Sequence, residues 1–140
     1  MQEVRRIELS EEIEAIGKVV VNAAFKVHKE LGPGLLEKVY EICLAHQIQK
    51  DGVSVTRQVN VPIVFDGLNF EEGLRIDLIA GEKVIVEVKA VDIVNPVWEA
   101  QVISYLKMTG MQLGFVINFH VPLIKNGIKR LINKNSLGIK

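Results

Sequence analysis

The segment VIVEVKAV, Val84 to Val91, constrains the fold of this chain more than any other stretch. Six of its eight residues are apolar, the composition of a strand buried on both faces. Glu87 and Lys89 nevertheless stand inside it, two apart, and so project from one face of that strand. Burying either charge alone costs roughly several kcal/mol unless it is paired or bound to a metal. A buried sheet with compensating charge close by is therefore required.

The preceding segment, GLRIDLIA, offers that charge in Asp77, flanked by Ile76 and Leu78. A hairpin joining the two strands sets Asp77 opposite Glu87 only if its turn holds an odd number of residues. An even loop such as Gly81-Glu82 pairs Asp77 with Val86 and throws the carboxylates onto opposite faces. A three-residue turn or a bulge is needed, and Gly81 permits either.

Around this pair the chain reads as alternating signals. Leu9, Ile13, Ile16, Val20, Ala23, Val27 and Leu31 recur at three- and four-residue steps, predicting a helix over 10–31 capped by Ser10. Gly32-Pro33-Gly34 breaks it, and a second helix is expected over about 35–50. The period then becomes two. Strands are expected at 59–65, 70–79, 83–90 and 111–119, with Pro62 favouring an edge and Asp66-Gly67 a hairpin turn. Asn95-Pro96 opens a helix reaching Thr109, and an amphipathic helix is expected from about Pro122 to Asn133. The order is α-α-β-β-β-α-β-α, which implies an α/β fold with a mixed central sheet flanked by helices.

At 140 residues the chain is expected to form a single domain, 1–140. The longest apolar runs are strand-length, short of the ~20 residues of a membrane helix, and no secretory signal is visible at the N-terminus. One cysteine, Cys43, allows no internal disulfide and suits a reducing cytoplasm; its apolar helical neighbours make it a packing residue. Formal charge is zero, but residues 1–99 carry all 17 acids against 11 bases, and 100–140 carry six bases alone. A basic segment of that kind can meet phosphates, although on charge alone a solvated tail is the better explanation. The neutral total argues against strong nonspecific nucleic-acid binding.

Two carboxylates and an ammonium around one pocket suit a hard divalent cation, which lowers the pKa of a bound water and polarises a phosphoryl oxygen. The same three residues also suit a buried ion pair, and spacing alone does not choose between the two readings. Walker-type, G-x-G-x-x-G and G-x-S-x-G motifs are absent, so nucleotide cofactors and serine hydrolysis are not indicated. His46 and His120 have no Cys or His partner at zinc-ligand spacing.

Asp77 followed by Glu87-Val88-Lys89 resembles the PD-(D/E)XK nuclease superfamily, with Ile76 where proline would stand. GLLEKVY, Gly34 to Tyr40, resembles the signature of the bacterial GxxExxY proteins, and Gln101 with Tyr105 resembles the Q-x-x-x-Y motif of RecB-like nucleases. HKELGPGLLEKVYE, RIDLI, VIVEVKAV and LGFVINF fall in the same family's order.

The resemblance implies a restriction-endonuclease-like core and an enzyme that hydrolyses phosphodiester bonds of DNA with Mg²⁺ or Mn²⁺. It implies Asp77, Glu87 and Glu37 as metal ligands, with Lys89 completing the catalytic set. Gln101 and Tyr105 would contact the substrate, and Tyr40 would face a carboxylate or the site. Tyr40 equally suits a half-buried core position. The basic run Lys125, Lys129, Arg130 and Lys134 would meet backbone phosphates. His28, near the Gly-Pro-Gly break, could reach Glu37, although a lone histidine is more often a capping or core residue. A homodimer, whose two sites cut two strands, is compatible with this size, although no residue specifies one. The competing reading is a catalytically silent nuclease-like module that binds nucleic acid or regulates.

Overall fold

The computed structural model describes residues 9–134; residues 1–8, on which part of the leader reading rests, and Lys140 of the basic segment lie outside them. Helix α1 runs Glu11–Leu31, and the Ser10 side chain accepts the Ile13 amide at 3.2 Å as its N-cap. Its buried residues include Ile13, Ile16, Val20, Ala23 and Val27, the expected stripe. Helix α2 (Glu37–Lys50) follows the Gly-Pro-Gly break.

Five strands then form one sheet in chain order: β1 (Val55–Phe65), β2 (Leu68–Ala80), β3 (Val84–Lys89), β4 (Leu113–Asn118) and β5 (Ile128–Ile132). Helix α3 (Val97–Thr109) lies between β3 and β4, which pair in parallel; every other pairing is antiparallel. A parallel pair needs a crossover of this length, and α3 supplies it. The fold is the expected mixed α/β sheet with flanking helices, consistent with a restriction-endonuclease-like core.

The helices cover opposite faces. Side chains from α1 and α2 pack with Leu78, Ala80, Val84, Val86, Val88, Phe115 and Ile117. Val102, Tyr105 and Leu106 of α3 pack with Ile76, Ile79, Ile85 and Val116 on the other side. Pro62 lies on the edge strand β1, where the register shifts between Val61 and Ile63. Asp66 and Gly67, at φ 49° and 79°, form the two-residue turn between β1 and β2.

One element differs from expectation. Residues 122–133 do not form an amphipathic helix: a single 3-10 turn spans Ile124–Gly127, and β5 then pairs antiparallel with β4. Without β5, β4 would be an open edge, and the backbone partners it offers outweigh a helical pattern that is local and weak. Gly127 makes the turn possible, because a Cβ there would lie 2.1 Å from the Asn118 carbonyl oxygen.

Candidate active site

The turn between β2 and β3 has three residues, Gly81 to Lys83, and Leu78, Ile79 and Ala80 pair with Val86, Ile85 and Val84. Gly81 and Glu82 adopt φ of 58° and 61°, and a Cβ on Gly81 would press on Ile16 at 2.7 Å. This odd turn sets Asp77 across from Glu87, but the backbone ladder stops one step earlier. Side chains replace it: the Asp77 amide donates to Glu87 Oε1 at 2.9 Å, and the Val88 amide donates to Asp77 Oδ2 at 2.9 Å. The two strands thus fork where the two carboxylates interlock.

The fork is reinforced from β1. Ile76 and Ile79 share the α3 face although they are three apart, so side-chain alternation breaks at Asp77. Gln58, between the pairs Arg57–Leu78 and Val59–Ile76, has φ 53°. A left-handed Gln needs support. It comes from Glu41 of α2, whose Oε1 accepts Gln58 Nε2 at 2.7 Å while Oε2 accepts Arg57 Nη2 at 2.7 Å and Nε at 3.2 Å. Glu41 is buried and had not been singled out from the sequence. The available signal was its position, one turn after Glu37 on the same helix face.

Electrostatics tie the cluster together. Burial, and then the charge of Asp77, pushes the Glu87 carboxyl up to about 8. Burial also raises Asp77, the Val88 amide opposing it and the Glu41 charge adding to it. Each of the two carboxyls stands in the other's field, and two like charges this close favour a proton on one of them. Glu37, at the start of α2, is raised by burial and held back by the Lys89 ammonium, so it shares their field. Lys89 Nζ lies 5.6 Å from the ring centroid of Trp98 on α3, a cation–π contact. Trp98, too, was not anticipated. Tyr105, one face of α3 with Gln101, is buried against the acids; burial, Glu87 and Asp77 push its hydroxyl up to about 12.

Two crowded, buried carboxylates fit a divalent cation between them. Mg²⁺ commonly takes one or two carboxylates and keeps several waters. Among the described residues no three Asp, Glu, His or Cys side chains stand close enough to hold one ion. The structure therefore assembles the Asp77–Glu87 pair and leaves Glu37 beside it, within its field, where a three-carboxylate shell was expected.

A sequence profile described as the PD-(D/E)XK nuclease superfamily matches residues 14–131. The chain belongs to that superfamily. No curated protein sequence and no solved structure matches it. In PD-(D/E)XK order, Asp77 stands on β2 and Glu87-Val88-Lys89 on β3, the strands that fork. No helix among the described residues is long and apolar enough to cross a membrane.

The fold places Tyr40, His28 and the basic run outside the fork. Tyr40 does not face substrate: it is fully buried, stacks on Phe119 at 4.6 Å, donates to the Gly32 carbonyl at 2.5 Å and accepts the Leu35 amide at 3.1 Å. It shapes the loop that leads into α2 and Glu37. His28 takes the core reading: it is buried, and its Nε2 donates to the Val121 carbonyl at 2.8 Å, tying α1 to the segment after β4. The basic run does not form one face. Lys129 and Arg130 are successive residues of β5 and point to opposite sides of the sheet, Arg130 pairs with Glu14, and Lys125 lies in the 3-10 turn.

Proposed function

We propose that this chain, working as one domain, is a Mg²⁺- or Mn²⁺-dependent nuclease that hydrolyses phosphodiester bonds of DNA. We place it in the GxxExxY group of the RecB-like branch. The observation that carries this reading is the fork, where Asp77 and Glu87 interlock while Lys89 projects from the same strand two residues on. An ion pair for its own sake needs no such break in the ladder.

Asp77 and Glu87 would hold the cation, and Glu37 adds a third negative charge to its field. A bound divalent cation supplies an activated water and neutralises charge on the phosphoryl group. The remaining work belongs to the chain. Backbone amides fix one oxygen of each carboxylate, leaving the other for ligation. Lys89, held over Trp98, presents a cation to the scissile phosphate and stabilises charge as it develops. Tyr105 stays protonated at neutral pH and can only donate to a phosphate oxygen, while Gln101 binds the same strand.

The test is cleavage of plasmid, linear and branched DNA with Mg²⁺ or Mn²⁺. Lys89→Ala is expected to lower the rate about 100-fold or more, in the range of losing one transition-state donor, and Asp77→Ala to abolish cleavage. Cleavage persisting in both variants would sink the assignment. One observation favours a second reading, a silent nucleic-acid-binding or regulatory module: among the described residues the carboxylates do not form a three-ligand set. Calorimetry separates the two, since a module released from catalysis takes up no Mg²⁺ or Mn²⁺ at millimolar concentration.

A further inference from the structure

Two features of the surface are unused by the proposed chemistry. The first is an arm. Beyond the fork, β2 pairs only with β1, so the two continue as a two-stranded ribbon past the end of β3. The base of the ribbon is covered, with Val59, Val61 and Leu74 packed beneath α3. The tip is not. Phe65, Leu68 and Phe70, which the strand pairing sets on one face, are all at least half exposed, between 50% and 69%. An isolated ribbon is marginal in water, and contiguous exposed apolar side chains mark a contact surface. Asp66, Glu71 and Glu72 make the tip acidic, and all three are exposed.

The second is a groove of about 750 Å³ between the C-terminal half of α1 and the segment after β4. It is lined by the apolar Phe25, Leu123 and Ile124 together with the exposed Lys26, Lys29 and Lys125. Glu30 and His28 are the other titratable groups there, and His28 is spent on Val121. The groove thus joins apolar side chains to three lysines against one acid, the complement of the tip. A nucleic acid suits the groove but not the acidic arm. A second copy of this chain suits both.

We infer that two copies associate by reciprocal exchange, the acidic apolar tip of each β1–β2 arm seated in the basic apolar groove of its partner. The arm leaves the fork at the end of the sheet where β3 finishes, and the groove flanks the segment leaving β4 at that same end. One two-fold axis can therefore satisfy both contacts and close the assembly. The inference is independent of the nuclease reading, because none of these side chains belongs to the acidic site.

Charge reversal tests it. The full chain is expected to sediment as a dimer at micromolar concentration. Glu71→Lys with Glu72→Lys sets a basic tip against a basic rim, and Lys26→Glu with Lys29→Glu sets an acidic tip against an acidic rim. Each double variant is expected to dissociate roughly 100-fold more readily. All four residues are exposed, and unchanged circular dichroism and melting will show that each variant folds. Mixed in equal amounts, the two variants restore both contacts and form a heterodimer. A wild-type monomer at 100 µM would overturn the inference, as would double variants that stay dimeric, or a mixture that stays monomeric.

Discussion

At the scale of single residues, the decisive arrangement is a pair of acids that cannot both be charged without help. Glu87 has its carboxyl raised from an ordinary value near 4.5 to about 8, first by burial and then by Asp77. A raised acid binds its proton more tightly in the folded state, so its stabilising contribution is complete below about pH 4.5 and is lost as pH rises through 8. In chelator, urea denaturation at pH 5, 7 and 9 is expected to show falling stability, and Glu87→Gln to flatten that slope. Glu41 makes a separate prediction. Removing its carboxylate by Glu41→Ala leaves Arg57 and the left-handed Gln58 without their acceptor, at a cost of about 2–4 kcal/mol by chemical denaturation. The spacing of Glu87 and Lys89, and the odd turn needed to meet Asp77, were legible because a strand's period of two converts sequence directly into facing. Glu41 and Trp98 were not, since their contacts cross from one element to another with no local pattern to announce them. For the same reason Tyr40's two readings, site and core, stay open in the sequence: helical spacing gives its face, but only the fold shows that Phe119 covers it.

At the scale of elements, periodicity placed α1, α2, α3 and the first four strands, whose hydrophobic pattern and end signals agree. The segment 122–133 failed because its apolar residues fit a helix and a strand alike, and the edge of β4 decided between them. Its turn depends on one residue. Gly127→Ala forces a methyl toward the Asn118 carbonyl oxygen and is expected to cost about 3 kcal/mol, read as a lower urea midpoint. The basic side chains moved with the element. Once β5 is a strand, Lys129 and Arg130 part to opposite faces, and Arg130 is taken by Glu14.

At the scale of the whole molecule, two layers of helices converge on the fork: α2 contributes Glu37 and Glu41 from one side, α3 Trp98 and Tyr105 from the other. Occupancy of the site is therefore expected to register globally. Millimolar Mn²⁺ or Mg²⁺ is predicted to raise the melting temperature at neutral pH, a gain of about 2.7 kcal/mol at a hundredfold excess over the dissociation constant. Asp77→Asn with Glu87→Gln should abolish the rise, and a wild-type melt indifferent to both ions would remove the cation from the scheme.

The fork also divides the molecule mechanically. Three backbone pairs join the β1–β2 half of the sheet to the half built on β3, β4 and β5, and past them two side-chain clasps carry the seam onward. The atoms that would grip an ion are thus the same atoms that buckle one half of the protein to the other. Loading the site and latching the body become a single act.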